Sequence, residues 1–567
     1  MGNQLNQTDM RHILIKILIL GLLLVNAGCS EDFLEVENKN NLTEGSFYQT
    51  QNDFQLALNS CYSPLAGRGT FGLGFQFVLG TWEDRILFET EGRDRLAVMN
   101  SNNSNTANTY LDFYFGLYRT TKLLVKLAEV GEIEGFPQEA RDQIEAETRA
   151  LRAMYYFYLV VLYHSPVFYD EENFPVDYNE NFTNGEPIQF WDRIEEDLAF
   201  AIPNLPAKSE YAAEDMGRIT SGAASALLGK AMLFKYYHYY AKEGNQNSSE
   251  ATADLNTARQ ALLDVMNSGE YGLVLPQAPK TRKDYLYALL SNTAYLDLQS
   301  ENNSYPSENN IESVWEVQFS DVRFSNGWLP GWQWSGSLNT QYFSVHSSSY
   351  KNHEVHPDWF YACETTGAPA GFDRDPRAYA TCYINGDTMH IDPANSYYKK
   401  FNSFINTKRI AMTRGLNYPD QPTEAFGLKK YYFPVYSDVA RAPNNDPVNR
   451  RVIRYADVLL MYAEVMYLLG DDGSGLNALN QVRARVDMPP VPALTTEAII
   501  HERDIELALE THRWLDLVRW SFDPAWGIDW DEILGPGIFQ TGKNEYLPIP
   551  ITEIDVNNGA LKQNPGW

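Results

Sequence analysis

A cluster of tryptophans in the middle of the chain carries the clearest chemical signal. Five of the twelve tryptophans lie between positions 315 and 359, in a stretch rich in glycine and proline. The aromatic residues that follow Trp315 there include Trp328, Trp332, Trp334, Tyr342, Trp359 and, just beyond, Tyr361. Flat aromatic rings pack against the C–H faces of sugar rings, and nearby polar side chains such as Arg374 can satisfy sugar hydroxyls. The cluster therefore predicts a ligand-binding platform.

The alternative interpretation is that these rings form a core. Tryptophans are highly buried on average, so any single ring in this stretch is as compatible with packing as with ligand contact. The glycine-rich setting favours an exposed platform for the cluster as a whole.

A second candidate group lies near the N-terminus of the predicted fold. Trp82, Glu83, Asp84 and Arg85 are consecutive, and Arg93 follows shortly after. Trp82, Asp84 and Arg93 are candidate ligand contacts. The alternative is a buried tryptophan beside a local ion pair.

Motifs for metal binding and catalysis are weak. His353 and His356 are three residues apart, whereas the zinc-protease helix places its histidines four apart. Residues 471–475 lack the alternating oxygen ligands and closing glutamate of a calcium loop, and predict a turn. The sequence contains neither a Gly-x-Ser-x-Gly motif nor a phosphate loop. We expect no catalytic residue, no metal site and no cofactor.

Acidic residues near the C-terminus invite a catalytic interpretation. Arg503, Glu506, Glu510 and Arg513 are three, four and three residues apart, so one continuous helix would place them on a single face. Each acid then has an arginine neighbour that keeps it ionised. The spacing predicts a structural ladder of ion pairs rather than a general acid and base.

The elements around these residues are predicted from hydrophobic periodicity. Amphipathic helices are expected around residues 54–65 and 113–127, over 138–164, from Pro187, after Arg218, over 255–266, and in three segments after residue 450. Helix pairs that stack their apolar faces resemble tetratricopeptide repeats, although no clean 34-residue period is visible. Small residues from Gly222 to Gly229 predict close packing on the following helix. The predicted fold is mainly α, a scaffold of helix pairs.

Between residues 271 and 449 the helical period fades. Gly, Pro, Asn and Ser punctuate short aromatic runs, and Val314–Phe319 alternates as a strand does. This pattern predicts a large loop-rich insertion with short helices and small strands. Loops on a rigid frame are where binding residues concentrate.

The charge balance excludes some partners. The 567 residues carry a net charge of −29. Nucleic-acid binding needs a basic surface, and so does docking on anionic lipid through a basic patch. We expect no nucleic-acid partner.

The N-terminus has the pattern of a targeting segment. A short basic start precedes an apolar run from Ile13 to Val25, which predicts a signal peptide over 1–28, with Met10 an alternative start. Ala27 and Gly28 before Cys29 resemble a bacterial lipobox, although Asn26 departs from its usual aliphatic residue. Acylation of Cys29 would anchor the chain through a polar tether over 29–50. The other cysteines, Cys61, Cys363 and Cys382, are either all unpaired or include a bridge between the last two.

Four segments at the C-terminus resemble the SusD/RagB family in order and position. They are Arg451–Glu464, Leu476–Arg485, Glu502–Leu517, and the closing Leu547–Pro550 with Gln563–Trp567. Agreement of separate segments over about 120 residues makes the resemblance specific. It implies a helical-repeat part over 51–270, a ligand-binding insertion over 271–449 and a C-terminal helical part over 450–567.

The resemblance also implies a function. Family members are outer-membrane lipoproteins of Bacteroidetes that capture glycans for a SusC-like TonB-dependent transporter. This chain would then be a surface-exposed, non-catalytic glycan binder, anchored through Cys29, that acts as the lid of its transporter. In the family, the early loop often contributes a stacking aromatic and a polar partner, which points to Trp82 and Asp84.

Two other functions are compatible with the residues. A surface glycoside hydrolase or polysaccharide lyase would need two carboxylates across a cleft, and 74 acidic residues always allow such a pair. A helical-repeat interaction module would need no small ligand. Release of reducing sugar and retention on glycans separate these functions from a binding protein.

Overall fold

The structure is a computed structural model that describes residues 12, 47–88, 99–174, 181–290, 308–319, 353–385, 387–392, 397–400, 426–430 and 448–567. The chain divides into two compact units, Met1–Gln49 and Thr50–Trp567, and the fold below is that of the second. Cys29 and the predicted signal peptide, except His12, lie outside the described residues. None of the helices in the described ranges has the length and apolar character needed to cross a bilayer.

The second unit is mainly helical, which confirms the predicted fold class. Its N-terminal helices are α1 (Gln51–Tyr62), α2 (Gly74–Trp82), α3 (Ser104–Glu129), α4 (Gln138–Tyr163), α5 (Pro187–Asn204), α6 (Ser221–Lys235), α7 (Ser249–Asn267) and α8 (Arg282–Leu290). The later helices are α9 (Pro357–Ala362), α10 (Pro376–Thr381), α11 (Tyr455–Leu468), α12 (Asp472–Arg485), α13 (Thr496–Glu506), α14 (Arg513–Ser521), α15 (Trp530–Leu534) and α16 (Ile551–Val556).

Local sequence explains where the helices begin. Pro187 occupies the first turn of α5, as predicted, because its missing N–H has no partner to lose there. Side-chain oxygens cap the exposed backbone N–H groups of α3, α6 and α7. These caps are Asn103 to the N–H of Asn105 at 2.9 Å, Thr220 to that of Ala223 at 3.0 Å, and Ser248 to that of Ala251 at 3.1 Å.

The helix α4 is the centre of the N-terminal part. Its C-terminal half is buried all round, and it packs against α3, α5 and α6. Aromatic rings on successive positions reach different neighbours. The pairs are Tyr156 with Phe190 on α5 at 5.7 Å, Phe157 with Phe234 on α6 at 5.1 Å, and Tyr158 with Phe113 on α3 at 5.3 Å between ring centroids.

Small residues allow the next helix pair to pack closely, as predicted. A Cβ added at Gly229 on α6 would lie 2.6 Å from Cγ of Leu262 on α7. Only a glycine fits that contact without displacing a neighbour.

Short antiparallel strand pairs lie within residues 271–449 or connect that segment to the rest of the fold. The strands are β1 (Ile86–Phe88), β2 (Ser313–Val317), β3 (His353–Val355), β4 (Cys382–Tyr383), β5 (Thr388–Asp392), β6 (Tyr397–Lys400), β7 (Gly427–Leu428) and β8 (Arg450–Arg454). They pair as β1 with β3, β2 with β8, β4 with β7, and β5 with β6. The strand predicted near Val314 is present, and it pairs with the strand that leads directly into α11.

The predicted third C-terminal helix is shorter than its charge spacing suggested. The helix α13 ends at Glu506, and Leu509 and Thr511 have φ values of 64° and 69°. Positive φ is incompatible with a continuous right-handed helix, so a new helix, α14, begins at Arg513. Glu510 and Arg513 therefore do not share a helix face with Glu506.

Candidate functional site

An exposed tyrosine and an arginine form a polar aromatic surface at the end of α9. We call Phe360, Tyr361 and Arg374 the Tyr361 patch. Tyr361 is 56% exposed to solvent. The guanidinium carbon of Arg374 lies 5.3 Å from the Tyr361 ring centroid and 4.5 Å from that of Phe360. A flat ring beside a guanidinium is suited to a ligand with an apolar face and hydroxyl groups.

The Tyr361 patch is held in place from below. Arg374 Nη1 donates a hydrogen bond of 3.0 Å to the carbonyl oxygen of Phe360. The ring of Phe360 stacks on Phe426 with 4.4 Å between centroids and 25° between planes. The helix α9 itself is capped by His356, whose Nδ1 accepts from the N–H of Asp358 at 3.2 Å. The Phe360 ring and the guanidinium are therefore fixed before any ligand binds.

Trp359 does not belong to that surface, contrary to the prediction. It is fully buried, and its Nε1 donates to the carbonyl oxygen of Asp504 at 3.0 Å. Residues two apart on a helix point to nearly opposite sides, so Trp359 faces the core and Tyr361 faces outward. The helical spacing of Pro357–Ala362 was the signal that could have identified Tyr361 instead of Trp359.

The early loop is attached to the C-terminal helices. Trp82 is 1% exposed, and its ring packs edge-on against Trp514 at 5.6 Å. Asp84 Oδ1 accepts from Nε of Arg513 at 3.1 Å, and Arg85 Nη2 lies 2.7 Å from Asp504 Oδ2. In this structure Trp82 and Asp84 therefore match the alternative interpretation, a buried tryptophan beside ion pairs, and no ring face of Trp82 is open to a sugar. Arg93 lies outside the described residues.

The remaining predicted platform residues are not tested by the structure. Trp328, Trp332, Trp334 and Tyr342 lie outside the described residues, so the platform stays a prediction. Trp315, the first member of the cluster, is described and buried in β2, where its Nε1 donates to the carbonyl oxygen of Gly217 at 3.3 Å.

The acids near the C-terminus belong to a buried ionic network rather than to a ladder along one helix. Glu506 accepts from Nη1 of Arg454 at 2.6 Å and also contacts Arg377 and Arg485. Glu510 lies 2.6 Å from Nζ of Lys430 and 2.8 Å from Nε of Arg454. We call these six residues the ionic network.

The charges of the ionic network keep its acids deprotonated. Burial alone would raise the pKa of Glu510, but Arg454 and Lys430 lower it to about 2. Burial also opposes ionisation of Glu506, and Arg485, Arg454 and Arg377 hold its pKa well below the usual range. A carboxylate in this state cannot supply a proton near neutral pH, so these acids stabilise structure.

An open groove lies between α1, the segment before α6, and β2. Its volume is about 350 Å³, and Tyr62, Arg218, Met216 and Gln318 contribute to its wall. Arg218 binds Glu147 at 3.0 Å and Asp215 at 2.7 Å. The guanidinium of Arg218 in this groove is therefore already bound by two carboxylates of the protein.

Cys61, Cys363 and Cys382 are buried and unpaired. Within the described ranges, no group of three or more His, Cys, Asp and Glu side chains is arranged to hold a metal ion.

The sequence matches two protein-family models. Residues 311–567 match a model described as "SusD family", and residues 32–233 match one described as "Starch-binding associating with outer membrane". A "SusD-like protein P25" of Formosa agariphila is 26% identical over 97% of this chain and 98% of its own length. A "SusD-like protein" of Bacteroides ovatus is 24% identical over 88% of this chain and 80% of its own length.

Solved structures show the same fold. A "Laminarin binding SusD-like protein" superposes with a TM-score of 0.65 at 26% identity, covering 92% of this chain and all of the other. A SusD homologue from Bacteroides thetaiotaomicron has a TM-score of 0.68 at 20% identity, covering 94% of this chain and 100% of the other.

Proposed function

The chain belongs to the SusD/RagB family, and from that premise we propose that it is a non-catalytic glycan-binding lipoprotein on the outer-membrane surface. It captures oligosaccharides and delivers them to a SusC-like TonB-dependent transporter, for which it acts as the lid. The observation that carries the proposal is the extent of the family match, because two models of related description cover residues 32–233 and 311–567.

The ligand class follows from the relatives and from the chemistry of the surface. One structural relative that is 26% identical carries the description laminarin binding. An exposed ring at Tyr361 beside the Arg374 guanidinium offers one apolar face and several N–H donors. Neutral glucans present matching C–H faces and hydroxyls, so laminarin is the first glycan to test.

The proposed site combines the Tyr361 patch with the predicted platform residues Trp328, Trp332, Trp334 and Tyr342. A stacking surface gives moderate affinity without a deep polar cage. Moderate affinity suits a protein that must release its ligand to a transporter.

The two acids whose spacing first suggested catalysis do not have the pKa of a general acid. Glu506 and Glu510 were the acids whose spacing first suggested proton transfer, and both have lowered pKa values inside the ionic network. Glycoside hydrolysis needs one carboxyl group that is protonated at the working pH. If the protein is a non-catalytic binder, incubation with laminarin should release no reducing sugar, and release that a single Asp or Glu substitution abolishes would contradict the proposal.

Affinity electrophoresis tests glycan binding. We expect the soluble chain without residues 1–29 to be retarded in gels that contain a bound glycan, with laminarin tested first. The triple change of Trp328, Trp332 and Trp334 to Ala should remove the retardation, and Tyr361→Ala should weaken it. Phe115→Ala, at an aromatic residue that is 52% exposed on α3, is the matched control and should migrate like wild type. Unchanged retardation of the triple variant would reject the platform.

Membrane attachment and the transporter partner have separate tests. Cys29→Ala in the full-length chain should move the protein from the membrane fraction to the soluble fraction, because the acylated cysteine is the proposed anchor. The wild-type protein should co-purify with a TonB-dependent transporter from detergent-solubilised outer membranes. Isolation of the protein alone, in detergent that keeps other transporters assembled, would contradict the lid role.

A further inference from the structure

Three buried polar side chains line one small internal cavity. The cavity has a volume of about 10 Å³, and Trp82, His238 and Glu545 contribute to its wall. Trp82 is at the end of α2, His238 is in the π-helical turn Tyr236–Tyr240 after α6, and Glu545 precedes the C-terminal Leu547–Pro550 segment. Their exposures are 1%, 3% and 8%, so bulk solvent does not hydrate them.

Each of these side chains has one polar atom that makes no hydrogen bond to a described residue. Among the described residues, Trp82 Nε1, His238 Nε2 and Glu545 Oε2 have no hydrogen-bond partner. The other polar atoms of two of them are used. His238 Nδ1 lies 3.3 Å from the hydroxyl of Tyr546, and Glu545 Oε1 accepts from the N–H of Gly542 at 2.8 Å. Leaving a buried polar atom unpaired is costly, and three around one cavity call for a shared partner.

We propose that this cavity holds one structural water molecule that bridges Trp82, His238 and Glu545. The cavity volume matches the space that a single water needs, and a buried water characteristically makes about three hydrogen bonds. The indole N–H can only donate, so the water oxygen accepts from Trp82. The two water hydrogens are then donated to Glu545 Oε2 and to His238 Nε2.

A neutral His238 has one N–H donor and one acceptor nitrogen, which is what this arrangement needs. Burial lowers the pKa of His238 well below its usual value, so the ring carries one hydrogen. That hydrogen lies on Nδ1 and is donated to the Tyr546 hydroxyl, which leaves Nε2 to accept from the water. The rest of the wall includes Val161, Leu162 and Val518, which offer the water no competing partner.

The bridge connects three parts of the chain that are far apart in sequence. It joins the early loop to the turn after α6 and to the C-terminal segment, and it adds to the direct contact between His238 and Tyr546. This inference goes beyond glycan binding and does not depend on it.

A high-resolution crystal structure of the protein tests the water directly. We expect an electron-density peak at hydrogen-bond distance from Trp82 Nε1, His238 Nε2 and Glu545 Oε2. An empty cavity, or a peak with the short contacts and anomalous signal of a metal ion, would overturn the proposal.

Two matched tryptophan variants give an independent readout. Trp82→Phe removes the donor to the water, whereas Trp191→Phe removes an indole N–H that is equally buried, also has no partner among the described residues, and does not line this cavity. Loss of a satisfied donor destabilises a protein, while loss of an unsatisfied one does not. We expect the midpoint of thermal unfolding to fall by about 1–2 °C more for Trp82→Phe than for Trp191→Phe. An equal or smaller fall would count against the water.

Discussion

Asp112 in the N-terminal helices and Glu510 in the C-terminal part are two acids in opposite electrostatic states. On α3, burial raises the pKa of the half-buried Asp112 to about 6, and this effect outweighs the N–H of Gly69 at 2.6 Å and the charge of Arg119, which both lower it. In the ionic network, Arg454 and Lys430 overcome the same burial effect and lower the pKa of Glu510 to about 2. The direction of a pKa shift is therefore decided by the balance between burial and the charges that bind the carboxylate, not by burial alone.

The same contrast describes how each region is stabilised. Aromatic rings from α4 fill the space between helices in the N-terminal part, where energy scales with buried apolar area. The N-terminal part also contains a buried ion pair, between Arg152 and Asp197 at 2.8 Å. The C-terminal part buries a connected network of arginines and glutamates that bind one another. Removing one partner from such a network leaves a buried charge without compensation, whereas trimming an apolar ring only leaves a cavity.

The largest expected effect is in the ionic network. Glu506→Gln should lower the free energy of unfolding by about 3–5 kcal/mol, because Arg377, Arg454 and Arg485 would lose a shared counter-charge. Urea denaturation followed by tryptophan fluorescence measures it. The control is Glu129→Gln, which removes an exposed partner of Lys126 and should change stability by less than about 0.5 kcal/mol. Equal losses for both variants would remove the distinction between the regions.

The pH dependence of stability should reveal the contribution of the same network. Glu510 has a pKa lowered from its usual value near 4.5 to about 2, so its contribution is complete above pH 4.5 and is lost as the pH falls towards 2. We expect stability of the wild type to fall by about 2–3 kcal/mol more than that of Glu510→Gln across this interval. Parallel pH profiles of the two proteins would show that Glu510 is not held ionised.

Packing in the N-terminal part predicts an intermediate effect. Gly229→Ala should cost about 1–3 kcal/mol, because the new methyl group would overlap Leu262 on α7. Gly131→Ala is the matched control, since nothing lies within 4 Å of a Cβ there. Thermal unfolding of both variants measures the difference, and a neutral Gly229→Ala would mean that the helix pair can separate without cost.

The smallest effect has the opposite sign. Ionisation of Asp112 destabilises the fold as the pH rises from about 4 to about 6, because its folded pKa is raised. Asp112→Asn removes that charge and keeps an oxygen to accept from Gly69. At pH 7.5 we expect the free energy of unfolding to be unchanged or higher by about 1 kcal/mol. A clear loss of stability in urea denaturation would place Asp112 in the same class as Glu506.

Sequence patterns were reliable where the determining contacts are local. Pro187 marked the start of α5, because that start depends on backbone geometry within a few residues. The small residues up to Gly229 marked a close helix contact, because residues without bulky side chains leave room for a neighbouring helix. The C-terminal helix was predicted too long because the arginine that binds Glu510 is Arg454, 56 residues away. No spacing rule along one helix includes such a partner.

The candidate site shows the same difference between what local sequence predicts and what distant contacts decide. Trp359 and Tyr361 are both aromatic and two residues apart, and composition alone could not separate a core ring from a surface ring. The packing of Trp359 against the carbonyl oxygen of Asp504, 145 residues later, decides which one is buried. Trp82 is buried for a similar reason, since Trp514 covers it from another part of the chain.

The amino-acid sequence by itself determined the mainly helical class, the family and the approximate positions of the longer helices, because these depend on periodicity and segment order. Only the tertiary structure decided which acids are ionised and which rings face solvent. Both properties are set by charges and atoms that arrive from distant segments, and their energies depend on burial that exists only in the folded chain.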